Sequence, residues 1–326
     1  MAIDLGLLDR EFGADGISVG SLRSAQTRVA RESHYDHTLP ALFREGGNVP
    51  ALWARARGAD TRLIGLTWVE ERQLVLARPG EHAGEAGALR GRRLALPAHG
   101  RDRVDFARAM ALRGFHAALA AADLTPDDAA FTDVATVPGD LTRRTGPGAG
   151  AYAAELAALR VGEVDAIYVK GAPGVDLATA YGLATVVDLA GLPDRRLRIN
   201  NGTPRTLTVS GALLRDHPDI VTRYVARLLR AASWAYGHGD DVAAIVATET
   251  GGGIPAVRAA YGPTLHRSLR PTITDDLLAA LADQRDFLRA HGFLAGDVDI
   301  DAWVDERPLR AALESNRTHV TEEGAA

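Results

Sequence analysis

Short apolar runs that alternate with stretches of helical spacing limit what this chain can fold into. Leu63 to Trp68, Gln73 to Ala77, Arg92 to Pro97, Ala130 to Val134, Val164 to Val169, Val186 to Leu189 and Leu207 to Ser210 read as strands. Helical stretches come between and after them, at Arg103 to Ala122, Tyr152 to Arg160, Pro218 to Tyr236, Asp241 to Glu249 and Asp275 to His291. An opening helix over Ala2 to Phe12 ends at Gly13, and Ile17 to Leu22 reads as one more strand. Strands alternating with helices predict an α/β fold with βαβ units and parallel pairing. A Gly- and Glu-rich polar stretch and the polar run Leu192 to Arg205 interrupt the rhythm, and they predict crossings near 78–90 and 192–206. The chain then divides into lobe 1, residues 1–80 plus 205–326 with the C-terminal helices, and lobe 2, residues 85–200. A ligand cleft is expected between the lobes, because open α/β sheets bind ligands at the carboxyl ends of their strands.

Composition excludes several functions. The net charge of -5 and pI near 6.1 argue against a nucleic-acid partner, whose affinity rests on clustered positive charge. Lys170 is the one lysine, so almost all positive charge is arginine. Cysteine is absent, which removes disulfides, thiolate metal ligands and thiol nucleophiles from these 326 residues. No apolar run approaches the roughly 18 residues of a membrane span. The opening residues, Met1-Ala2-Ile3-Asp4, lack the basic start of a secretory signal, so the chain as written reads as cytoplasmic.

The most informative motif is His34 followed ten residues later by Arg44-Glu45-Gly46-Gly47. A guanidinium beside two glycines suits an oxyanion: its fork of donors matches the oxygens, and glycine lets the backbone approach. A histidine in reach adds a hydrogen bond or moves a proton. The plainer alternative is a surface arginine before a Gly-Gly turn with an unrelated histidine. The stretch resembles the sulfinate desulfinases, C–S hydrolases built on the fold of the ABC-transporter sulfonate, nitrate and taurine binding proteins. That is the periplasmic-binding-protein type II fold. In the desulfinases an Arg-x-Gly-Gly motif follows a catalytic His at this spacing. Met1 to Asp9 resembles the first helix of such proteins, and Gly162-Glu163-Val164-Asp165-Ala166 resembles a segment they place near the cleft. The resemblance runs from residue 2 to about 315. It implies an earlier strand ahead of the first helix, so the first strand of lobe 1 is expected to be missing or to lie upstream. An upstream start would also open a periplasmic or lipid-anchored location.

Other candidates are less specific. The strand over Leu94-Ala95-Leu96 runs into Pro97-Ala98-His99-Gly100-Arg101 and a helix, whose free amides could hold an anionic head group with His99 or Arg101 alongside. In similar binding proteins this loop contacts the ligand. Lys170 could reach an anion from its strand end or be solvated. His34, Asp36 and His37 have helical metal-ligand spacing, but a third ligand at recognisable spacing is lacking, and no metal or other cofactor is expected. Trp53 and Trp68 could wall an aromatic pocket or pack a core. Gly16-Ile17-Ser18-Val19-Gly20 spells a hydrolase elbow, but Ser18 sits within a short apolar run and not at a strand-to-helix apex. Gly251-Gly252-Gly253 reads as a helix-ending turn.

Two functions remain. One is a substrate-binding-like protein that holds a small organic anion, a sulfonate or sulfinate, with Arg44, Gly46, Gly47 and the His99–Gly100–Arg101 loop; its implied partner is an ABC permease. The other is a desulfinase-like hydrolase in which His34 and Arg44 assist the cysteine nucleophile that the resemblance implies. The cysteine-free chain is expected to bind.

Overall fold

The structure is a computed structural model that describes residues 1–22, 24, 25, 27–99, 104–135 and 150–323. It divides into two units, each assembled from separate segments of chain. Residues 1–69, 202–242 and 265–326 form the first unit, and 70–201 with 243–264 form the second.

The first unit begins with α1 (Leu7–Phe12), α2 (Arg28–Asp36), β1 (Phe43–Gly46), α3 (Asn48–Ala56) and β2 (Thr61–Thr67). The second contains β3 (Gln73–Ala77), β4 (Arg93–Ala98), α4 (Phe106–Ala120), β5 (Ala130–Ala135), α5 (Ala153–Arg160), β6 (Ile167–Lys170), α6 (Gly171–Ala180) and β7 (Ala184–Asp188). The chain then returns through β8 (Arg205–Ser210), α7 (Gly211–Asp216) and α8 (Pro218–Ala235). After these come α9 (Gly239–Thr250), α10 (Ile254–Tyr261), α11 (Asp275–Ala290), α12 (Ile300–Trp303) and α13 (Arg307–Glu323).

In the first unit β8 is the middle strand of the order β1-β8-β2, antiparallel to both neighbours. Ile64, Leu207 and Val209 press from this sheet onto Val221, Val225 and Leu229 of α8. Those helix positions are four apart and so share one face. Phe43 stacks on Tyr224 with ring centroids 3.7 Å apart, which anchors one side of β1 to α8. Trp303 is fully buried and donates from Nε1 to Thr61 Oγ1 at 3.0 Å.

In the second unit β3 lies between β6 and β7, antiparallel to each, while β4 and β5 pair in parallel. The core gathers Val75, Leu94, Leu96, Phe115, Tyr168 and Val187. Gly114 of α4 lies against the Tyr168 ring so closely that a Cβ there would fall 2.1 Å from Cε2. Glycine is therefore the only residue that lets this helix reach the sheet. Tyr168 donates to Gln73 Oε1 at 2.7 Å, and the buried Asn200 amide donates to both, closing a small polar network.

Three expectations need correction. Parallel pairing holds for β4 and β5, but both three-stranded sheets are antiparallel. The reason is connectivity: β8 enters its sheet from the other unit, so its direction is not set by a local βαβ crossover. Gln73–Ala77 was expected in lobe 1, yet it hydrogen-bonds β6 and β7 and belongs to the second unit, as do residues 243–264. A hydrophobic strand carries no mark of which sheet will complete its ladder. Finally, Ile17 to Leu22 is not a strand. Ile17 and Val19 pack instead beside Leu8, Phe12 and Ala231, which satisfies their apolar surface without a ladder.

Candidate functional site

Helix α2 presents His34 because both of its ends are pinned. Thr27 Oγ1 accepts from the Ala30 amide at 3.2 Å, an N-cap that satisfies one orphan donor. At the other end His37 closes the helix in the left-handed conformation, φ 55°, and its N–H donates to Ser33 O at 3.0 Å. Asp36 is turned to Thr38, accepting from its amide at 3.2 Å and its hydroxyl at 2.9 Å. It is therefore engaged in closing this turn.

Strand alternation supplies the facing group. Phe43 and exposed Glu45 take one side of β1, whereas Arg44 and Gly46 take the other and are buried. Arg44 sits opposite Thr208, and Gly46 opposite Thr206. Only 2% of Arg44 is exposed. Its Nε donates to His34 O at 2.9 Å, Nη1 to Gly47 O at 2.9 Å and to Thr206 Oγ1 at 3.5 Å, and Nη2 lies 3.4 Å from His34 Nε2. Four of the five guanidinium N–H bonds thus point at neutral acceptors. Among the described residues no carboxylate pairs with Arg44.

Gly46 and Gly47 do different work. A Cβ on Gly46 would lie 3.2 Å from Arg44 Nη2 and 3.4 Å from Cζ, so the guanidinium lies flat against a residue that has no side chain. Gly47 caps α3 from an extended conformation with no side-chain cap, and its carbonyl takes Nη1.

The local electrostatics are strongly cationic. Burial, then the charge of Arg205, pushes the Arg44 pKa down to about 9, and Tyr35 opposes them. The group stays protonated at neutral pH. His37, 9% exposed, is pushed down to about 3 by burial and then by Arg44, so it is neutral there.

His34, Arg44, Gly46 and Gly47 are therefore brought together within the first unit. The other expected ligand groups are placed differently. The His99 backbone N–H donates to Asp105 Oδ2 at 2.8 Å, and its Nδ1 lies 3.1 Å from Asp105 Oδ1. Asp105 is also the N-cap of α4, accepting from the Arg108 amide at 2.9 Å. The helix start that was expected to hold a ligand anion already holds the chain's own carboxylate. Burial alone would raise that carboxyl, but the hydrogen bonds from His99 and Arg108 outweigh it and hold it low. Gly100 and Arg101 lie outside the described residues. Lys170, expected to be solvated or to reach an anion, is bonded through Nζ to the buried Glu71 Oε1. Its charge is neutralised inside the protein. Asp165 of the Gly162–Ala166 segment binds the Arg93 amide and guanidinium at 2.8–3.0 Å, a structural tie at the foot of β4. Trp53 lies in α3 beneath the Arg57 guanidinium at 5.1 Å.

Sequence reasoning missed Thr206 and Arg205. Thr206 becomes visible only through the β1–β8 register, which links positions 160 residues apart. His37 was noticed for its spacing but read as a possible metal ligand.

The mixed α/β fold and its strand connectivity match those of periplasmic-binding-protein-like proteins. The periplasmic aliphatic sulphonate binding protein SsuA from Escherichia coli superposes with a TM-score of 0.62 at 15% identity, covering 93% of this chain and 87% of that one. The putative sulfonate-binding SsuA from Methylobacillus flagellatus gives 0.69 at 15% identity, covering 97% and 89%. More specifically, the sequence resembles 2'-hydroxybiphenyl-2-sulfinate desulfinase from Rhodococcus erythropolis, 28% identical over 97% of this chain and 90% of the relative. A mutant of the desulfurization enzyme DSZB crystallised with biphenyl-2-sulfinic acid has a TM-score of 0.75 at 26% identity, covering 96% of this chain and 94% of that one. No protein-family model matches the sequence.

Proposed function

We propose that this protein binds a small organic sulfonate or sulfinate anion, with Arg44 as its main contact and His34, Gly46 and Gly47 shaping the site. The observation that carries this reading is the buried Arg44 charge, which no carboxylate among the described residues neutralises. Hydrogen bonds to carbonyls satisfy donors but leave the charge itself in a poorly polarisable surrounding, at a cost of several kcal/mol per ion. A bound oxyanion offsets that cost and takes up the remaining N–H of the fork. Arg205 adds a second positive charge nearby. The sulfur oxyanion is preferred because the chain resembles both a sulfinate desulfinase and sulfonate-binding proteins. An ABC permease is the partner in a transport role. Calorimetric titration with benzenesulfonate and benzenesulfinate tests the reading: binding that weakens at least about tenfold in Arg44→Ala supports it, and no binding of either anion to wild type overturns it.

A second reading is favoured by the higher identity to the desulfinase than to the sulfonate-binding proteins. In it His34 moves a proton and Arg44 stabilises the oxyanion during hydrolysis of a C–S bond. The cysteine nucleophile that the resemblance implies has no counterpart among these 326 residues. Binding is therefore the primary reading, and an assay for sulfite release separates the two.

A further inference from the structure

We propose that the His37 imidazole is a third hydrogen-bonding group of the anion site, its Nε2–H donating to an oxygen of the sulfur oxyanion held at Arg44. The inference rests on the reading of Arg44 as the anion anchor. His37 follows His34 by three positions and closes α2 as its C-cap, its N–H donating to Ser33 O at 3.0 Å. His34 touches Arg44 through its carbonyl and its ring, and His37 is close enough to Arg44 for the two charges to interact. Yet His37 Nε2 is buried without a hydrogen-bond partner among the described residues.

An apolar residue at this position would remove the unpaired nitrogen, and asparagine or glycine would suit the backbone better. A buried ring nitrogen left without a partner in this way is the pattern of a group whose partner is a ligand. The chemistry fits an oxyanion. A second full charge beside Arg44 and Arg205 would deepen the repulsion already present. A neutral imidazole instead offers one directional N–H and no charge. Thr206, whose hydroxyl lies 3.5 Å from Arg44 Nη1, brings no charge.

The test uses the full chain, benzenesulfonate as probe, and three variants: His37→Phe, His37→Asn and Arg44→Ala. His37→Phe is expected to bind about tenfold more weakly, the loss of one hydrogen bond to a charged group. Its thermal midpoint at neutral pH should be unchanged or higher, because the unpaired nitrogen is gone. His37→Asn, which keeps a donor and suits the left-handed backbone, should recover part of the affinity. A His37→Phe protein that binds normally but melts earlier makes His37 structural and overturns the inference, provided Arg44→Ala still weakens binding. If Arg44→Ala binds as wild type does, the site reading itself falls, and this inference with it.

Discussion

Arg44 and His34 are joined twice: the guanidinium Nε donates to the His34 carbonyl at 2.9 Å, and Nη2 lies 3.4 Å from the His34 ring nitrogen Nε2. One strand residue thereby fixes both the backbone and the imidazole of a residue on a separate helix. The pair holds a guanidinium and an imidazole side by side.

Arg44→Ala should weaken binding of an aromatic sulfonate by about 1.5–3 kcal/mol, the range for a hydrogen bond to a charged group. Calorimetry on a variant shown to be folded by its circular dichroism measures this. Arg44→Lys should recover less than half, since a point charge cannot make the divergent bonds to His34 O and Gly47 O.

Gly46→Ala should reduce affinity by roughly 1 kcal/mol, a small overpacking cost, while leaving the thermal midpoint nearly unchanged. The new methyl would meet Arg44 Nη2 at 3.2 Å and push the guanidinium from its place. Wild-type affinity in this variant would show that the flat approach of Arg44 to Gly46 is not needed.

Lys170→Met should destabilise the second unit without touching ligand affinity. It leaves the buried Glu71 carboxylate unpaired, a change worth about 3–5 kcal/mol for a buried ion pair. Lys170→Met with Glu71→Leu should restore much of the loss in urea unfolding. A selective fall in anion affinity instead would return Lys170 to the binding site.

Stability should fall as pH drops below the ordinary histidine range, in part through His37. Its pKa in the folded protein is pushed down to about 3, from 6.5 when unfolded. Between those values the unfolded chain holds a proton that the folded chain refuses, so acid favours unfolding and the stabilisation is complete above pH 6.5. From pH 7 to pH 5 the contribution amounts to about 2 kcal/mol, at 1.4 kcal/mol per unit of effective shift. Urea unfolding at the two pH values should show a smaller difference in His37→Phe than in wild type.

By itself, the sequence determined the elements and the motif of this protein. The apolar runs at 63–68 and 164–169 and the periodic face of α8 are local patterns, and local patterns depend on neighbours that the sequence lists in order. The same holds for Arg44 with Gly46 and Gly47, whose residue types already suit an oxyanion. Tertiary structure decided how those pieces met. Only the β1–β8 ladder brought Thr206 to Arg44, only the pairing with β6 and β7 drew β3 into the second unit, and only burial showed Lys170 spent on Glu71 and His99 on Asp105. These outcomes turn on which charges lose water and which partners replace it. Desolvation is a property of the assembled interior, and no spacing along the chain encodes it.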